Sequence, residues 1–216
     1  MHHTQKNLIE IKEKIKNKIN NLKLSNYHPK VIAVSKTFAE EDILPLVGHG
    51  HFDFGENKVQ EAQRKWTKIK ENHKGLKLHM LGKLQTNKVK NAVEVFDYIH
   101  SLDNLKLANK ISKEEQKKSK KIKIFIQVNL GSEEQKSGID PSDIVSFYEH
   151  CLELKLNIIG TICIPPDNQD PKPFFENLLK LNQKLNLTEI SMGMTNDYLD
   201  ALQYKSTFLR IGTGIF

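Results

Sequence analysis

The feature that most constrains this chain is a hydrophobic period that keeps switching between two and three-to-four residues. From Lys30 onward, eight short apolar runs fall at 31–34, 52–54, 76–81, 96–99, 122–130, 156–164, 187–191 and 207–211. They have strand length, several are rich in β-formers, and turn residues bound them. Between them, stretches at 40–47, 56–71, 104–118, 141–154, 171–185 and 197–204 carry helical spacing, with a shorter one at 86–95. An opening helix over 7–22, in a lead-in of about 5–25, sets Leu8, Ile11, Ile15, Ile19 and Leu22 on one face. Strand–helix alternation of this kind means parallel strands joined by right-handed crossovers. Eight strands match a closed barrel, and 216 residues lie near the lower size limit of that fold, roughly 200. An open doubly wound sheet would place a glycine-rich turn after its first strand. Here that strand ends in Ser35-Lys36-Thr37, with no glycine before Gly48. The expected architecture is α/β: a single-domain (β/α)8 TIM barrel over 1–216 with an additional N-terminal helix.

Composition narrows the function classes. Lys plus Arg outnumber Asp plus Glu by 33 to 26, a net charge of +7, which raises the question of nucleic acid. Only Arg64 and Arg210 among those cations are arginines, the residue best suited to bidentate reading of bases and phosphates. The lysines are scattered apart from one run over 113–123, which reads as a solvated helix end. No nucleic-acid partner is expected. Cys151 and Cys163 lack CxxC spacing or histidine-rich company, so no metal site is expected and a reducing, cytoplasmic compartment is. No run of eighteen apolar residues and no signal-like start argue for membrane or secretion. His2 and His3 are set aside as a native start or part of a tag.

In a barrel, chemistry gathers at the C-terminal strand ends, with phosphates commonly held after strands seven and eight. The seventh run leads into Ser191-Met-Gly-Met-Thr195 and the eighth into Gly212-Thr213-Gly214. Both combine hydroxyls with glycines, which let amides approach an anion, and the first is expected to open a helix whose dipole helps. Lys36 closely follows the first apolar run, where a low dielectric would favour the neutral amine. Arg210 lies inside the last run, and a cation there needs a partner to offset its desolvation. An amine, an anion cup and a cation together suit pyridoxal 5′-phosphate (PLP), which presents an aldehyde, a phosphate and a pyridine nitrogen.

Six ordered blocks carry a wider resemblance. They are Val31-Ile-Ala-Val-Ser-Lys36-Thr, Phe54-Gly-Glu-Asn57, His79-Met-Leu-Gly-Lys-Leu-Gln-Thr-Asn-Lys88, Lys136-Ser-Gly138, Ser191-Met-Gly-Met-Thr195 and Arg210-Ile-Gly-Thr-Gly214. Running from Lys30 to Phe216, they resemble the signature blocks of the pyridoxal phosphate homeostasis proteins, single-domain barrels related to the N-terminal domain of alanine racemase. The resemblance implies that Lys36 forms the internal aldimine, a Schiff base, and that Asn57 sits near the cofactor's 3-hydroxyl. It implies that Ser191, Thr195, Gly212 and Thr213 hold the phosphate and that Arg210 faces the pyridine nitrogen. Two departures stand out: Thr195 replaces the family's common serine, and the sequence stops at Phe216, where relatives usually continue, which leaves the closing helix in question. His79, Gln85, Asn87 and Lys88 receive no role; His79 is read as a core residue, and Gln85 and Asn87 as helix caps or lining of the mouth.

The function implied is PLP binding for intracellular PLP homeostasis, without substantial turnover and with no catalytic residue assigned. PLP is the partner, client PLP apoenzymes are possible recipients, and a monomer is expected. The alternative is a PLP-dependent amino-acid racemase or related fold-type III enzyme. Racemisation needs a second acid/base group opposite the lysine. Tyr98, Tyr148, Tyr198 and Tyr204 have no evident reach to that face, and an arginine at the ring nitrogen weakens the electron sink.

Overall fold

In the computed structural model the described residues are 1–131 and 137–216. Eight parallel strands close into a barrel in chain order: β1 (Lys30–Val34), β2 (Asp53–Glu56), β3 (Lys77–Met80), β4 (Tyr98–Leu102), β5 (Lys123–Gln127), β6 (Asn157–Ile162), β7 (Glu189–Ser191) and β8 (Phe208–Ile211). Closure comes from β1 pairing with β8, with Ile32 opposite Arg210. The helices are α1 (His3–Asn21), α2 (Glu40–Gly48), α3 (Val59–Asn72), α4 (Val89–Val95), α5 (Leu105–Lys118), α6 (Ile144–Glu153), α7 (Lys172–Lys184) and α8 (Tyr198–Ala201). The expected (β/α)8 barrel with its extra N-terminal helix is what forms.

Helix α1 precedes the barrel, and among the described residues no helix follows β8. Helix α1 takes that place in the ring, against α2 and α8. It buries Leu8, Ile11 and Ile15. Asn7 Nδ2 donates to the Ile215 carbonyl at 3.0 Å, and Gln5 Nε2 to the Pro45 carbonyl at 2.8 Å. His2 proves structural, capping α1 in a reciprocal arrangement with Gln5.

Two strands differ from the apolar runs that announced them. Strand β2 runs on through Gly55 and Glu56, and β4 starts at Tyr98 and takes in His100 and Ser101. The helical stretch expected over 197–204 is a four-residue helix, α8, followed by a 3-10 turn, Leu202–Tyr204. A helix dipole behind Thr195 is therefore small. Gln85 precedes a 3-10 turn, Thr86–Lys88, and its side chain makes no cap.

Apolar residues pack in two groups. The larger lies between strands and helices, around Phe54, Trp66, Phe96 and Phe175. The smaller fills the barrel interior with Ile32, Tyr98, Phe125, Ile162 and Phe208. The same interior also contains His79, His100, Ser191 and Arg210, all buried.

Candidate functional site

Lys36 stands just past the C-terminal end of β1, exposed. Its neighbours are tied down. Buried Ser35 donates through Oγ to Glu56 Oε1 at 2.8 Å, and the Thr37 amide donates to Glu61 Oε1 at 3.0 Å. Lys65 of α3 bridges the two by donating to the Ser35 carbonyl at 2.9 Å and to Glu56 and Glu61 at 3.0 and 3.3 Å. Trp66 Nε1 adds a third donor to Glu56 Oε1 at 2.9 Å. Thr37 takes a positive φ of 66°, so the chain turns sharply after Lys36. The Lys36 ammonium itself has no ion pair or hydrogen bond among the described residues. The low-dielectric setting expected for it is not found: the amine is held at a fixed strand end and open to solvent.

Asn57 follows directly on β2, beside it. Val34 pairs with Gly55, so Lys36 and Asn57 each lie two residues beyond a matched pair and at the same height. Asn57 also lines a cavity of about 440 Å³ with Leu81, Gly82, Gln127 and Ile164, within the size range of small-molecule pockets.

Arg210 is 5% exposed and has no carboxylate within salt-bridge distance among the described residues. Its Nη1 donates to Ser191 Oγ at 2.7 Å and its Nη2 to the Cys163 carbonyl at 3.0 Å. Burial pulls its pKa down, opposed by Cys163 and Asp197. A buried guanidinium with only neutral partners is costly unless something else shares its charge.

Thr195 and Thr213 come together, their hydroxyls 3.5 Å apart. Gly212 packs against Val34, and the Arg210 amide donates to the Gly193 carbonyl at 2.9 Å, joining β8 to the loop after β7. The amides of Thr195, Asn196, Thr213 and Gly214 find no acceptor among the described residues. Free amides beside two hydroxyls make a cup for an anion. Asp197 at its edge accepts from the Met194 amide at 2.5 Å, and burial raises its pKa despite that bond and Arg210.

Of the seven residues singled out from sequence, the structure gathers Lys36, Arg210, Gly212 and Thr213 on the adjacent ends of β1 and β8, with Thr195 against Thr213 and Asn57 next to Lys36 on β2. Ser191 stands apart from the cup, inside the barrel, and is fully buried between Arg210 and His100. Lys136 lies outside the described residues. Sequence reasoning missed the Glu56–Lys65 clamp on the lysine turn and the interior pair His79 and His100. The histidine pair alone had a signal, parity: His79 lies between the outward-facing Leu78 and Met80 on β3, and His100 lies two residues beyond the inward Tyr98 on β4. An unpaired amine, an anion cup and a buried cation seeking a partner meet the three demands of PLP.

Residues 9–216 match the family described as alanine racemase, N-terminal domain. A pyridoxal phosphate homeostasis protein of Aquifex aeolicus is 36% identical over 197 residues, covering 87% of this chain and 86% of the relative. One from Pasteurella multocida is 33% identical over 223 residues, covering 98% and 96%. Among solved structures, PipY of Synechococcus elongatus with PLP bound superposes with a TM-score of 0.82 at 31% identity, over 94% of this chain and 99% of that one.

Proposed function

We propose a function from one premise: the chain belongs to the family of pyridoxal phosphate homeostasis proteins, built on the alanine racemase N-terminal domain. The protein binds PLP and serves PLP homeostasis, holding the cofactor through an imine of Lys36 without substantial turnover. Thr195, Gly212 and Thr213 hold the phosphate, Asn57 lies beside the 3-hydroxyl, and Arg210 faces the pyridine nitrogen. Ser191, given to the phosphate by the resemblance, instead supports Arg210, since its hydroxyl is already engaged inside the barrel.

The observation that carries this reading is the buried, carboxylate-free Arg210 on the strand paired with the one bearing Lys36. When bound, PLP supplies an aldehyde for an amine and a ring that withdraws electrons. Arg210 donates to a ring nitrogen and disfavours its protonation, which weakens that withdrawal. A racemase or other fold-type III enzyme would also need a second acid/base group across from Lys36. Tyr98 and Tyr148 line a cavity at the opposite, N-terminal face of the barrel. Tyr27 donates to the Ser206 carbonyl, Tyr198 is buried in α8, and Tyr204 packs on Phe175. None supports the racemase reading. The exposed Lys36 keeps bound PLP within reach of client apoenzymes, and we place the protein in the cytoplasm as a monomer, where two free buried thiols suit a reducing milieu.

Borohydride reduction of PLP-loaded protein should fix the cofactor on Lys36, and Lys36→Ala should lose the visible imine absorption. Label on any other lysine would overturn the assignment. Racemase turnover in the ordinary enzyme range, of order 1–10³ s⁻¹, would overturn the absence of turnover.

A further inference from the structure

The barrel interior contains a line of polar groups that the cofactor site does not account for. Asp53, at the start of β2, accepts through Oδ1 from His79 Nε2 at 3.1 Å. His79 Nδ1 meets His100 Nε2 at 3.0 Å, and His100 Nδ1 meets Ser191 Oγ at 3.1 Å. Ser191 Oγ accepts from Arg210 Nη1 at 2.7 Å. The rings are walled in. His79 stacks on Tyr98 and His100 on Phe125, each at 4.2 Å, while Phe208 closes on both at 5.7 and 6.0 Å. The line runs from a guanidinium near the mouth to a carboxylate at the floor. There Asp53 borders a cavity of about 620 Å³ that Lys12, Lys16 and Lys30 also line.

With both buried histidines neutral, counting protons fixes the direction of every link. Arg210 can only donate and the Asp53 carboxylate can only accept. Arg210 fills one lone pair of Ser191. With neutral rings, a His79 that donates from Nε2 to Asp53 must accept at Nδ1 from His100 Nε2, which leaves His100 Nδ1 to accept the Ser191 proton. With both histidines neutral and carrying the proton on Nε2, each of the four links holds one proton; a cationic His79 would also fill every link, but only by reversing the two between His79 and Ser191. Burial lowers the pKa of both rings, with His79 and Arg210 adding to the effect at His100. Burial pushes the Asp53 carboxyl up, but the bond from His79 together with the electrostatics of His79, His51 and Lys30 outweighs it and leaves the pKa below its ordinary value. A proton added to either ring would make it a double donor and break the sequence.

We propose that Asp53, His79, His100 and Ser191 are positioning residues for Arg210, a one-way hydrogen-bond chain that aims a Ser191 lone pair at the guanidinium and turns the Ser191 proton away from the cofactor. The proposal rests on the reading that Arg210 faces the ring of bound PLP. The chain ties the orientation of a group at the mouth to an acceptor at the floor, across the whole barrel.

The test is long-range ¹⁵N–¹H NMR of the histidine rings in PLP-loaded protein at neutral pH. Both His79 and His100 should be neutral Nε2–H tautomers; an Nδ1–H or cationic form of either overturns the chain. Asp53→Leu removes the terminal acceptor at the partly open floor. His79 and His100 should then both move to Nδ1–H, although no group touching His100 has been replaced. PLP affinity should fall about tenfold, as when outer partners of a ligand-holding group are lost, with Lys36 still the labelled residue. Unchanged affinity in Asp53→Leu with PLP on Lys36 would remove the positioning role and leave the cofactor reading intact. A wild-type protein that takes up no PLP would overturn the cofactor reading, while its tautomers would still decide whether the chain exists.

Discussion

Gly82→Ala tests whether Asn57 belongs to the cofactor site. A Cβ built at Gly82 falls on the carbonyl oxygen of Asn57 and lies 2.9 Å from its Cα and 3.0 Å from its carbonyl carbon, where ordinary contacts begin at 3.4 Å. All three are backbone atoms, so no side-chain rotation relieves the clash. The strand end is also pinned, since the Ser35 amide donates to the Gly55 carbonyl and the Leu81 amide to the Glu56 carbonyl, both at 2.9 Å. The added Cβ and the Asn57 oxygen must separate by about 1 Å, which, shared between the two segments, moves Asn57 by about half an ångström, at the usual overpacking cost of about 1–3 kcal/mol. At roughly 2–4 °C per kcal/mol for a chain of this size, Tm should drop by about 2–12 °C. A displacement of that size at a binding group should weaken PLP on the order of tenfold, given that misplacement by 1 Å can cost about 10²-fold in a catalytic site. Thermal melts with and without PLP, and an absorbance titration, read the two effects separately. Gly48→Ala, with nothing within 4 Å of its added Cβ, serves as the control. A lowered Tm with wild-type affinity would remove Asn57 from the site, and an unchanged Tm would show the steric reasoning to be wrong.

Three further outcomes follow from the same structure. Replacing Thr195 and Thr213 together by valine should weaken PLP at least about tenfold while leaving pyridoxal binding nearly unchanged, because only the phosphate uses those donors; equal losses would place the phosphate elsewhere. His51, its pKa lowered by burial and secondarily by Lys12 from 6.5 to about 4, is a base that protonates first in the unfolded chain. Its share of stability is complete above pH 6.5 and is lost as pH falls toward 4, by up to about 3 kcal/mol. Urea melts across that window should show the decline and His51→Gln should flatten it; an unchanged slope in the variant would refute the assignment. Burial pushes the Cys151 and Cys163 thiols up to about 12, so neither should react with a disulfide reagent at neutral pH until the protein is denatured. Titration of a thiol in the folded protein would contradict this.

The barrel was legible because its outer packing obeys simple periodicity: Val31, Ala33, Phe54 and Leu78 face the helices, and the helices answer with Leu46, Trp66 and Val93. Lys36, Arg210 and the two threonine-bearing turns were legible because they break that pattern at strand ends. The interior was not. A search for apolar runs truncates β4 before His100 and stops β2 before Glu56, since both strands continue through polar residues whose partners come from elsewhere in the chain. His79 reads as a single buried histidine until His100, Asp53 and Ser191 are seen around it. The Glu56–Lys65 clamp likewise joins the turn after β1 to β2 and α3, and no local spacing announces it. Ser191 shows the opposite case. Its motif suggests a phosphate ligand, while its parity on β7 turns it inward.

The pairing of β1 with β8 has a consequence for biosynthesis. Lys36 leaves the ribosome on the first strand, whereas Arg210, Gly212 and Thr213 emerge only with the eighth. On the proposed assignment of PLP to Lys36, the nascent chain offers the cofactor, until that strand docks, a bare amine no better than any other surface lysine, with neither cup nor cation behind it. On that assignment, specific uptake of cofactor waits on barrel closure, and a chain stalled before β8 should scavenge PLP without retaining it.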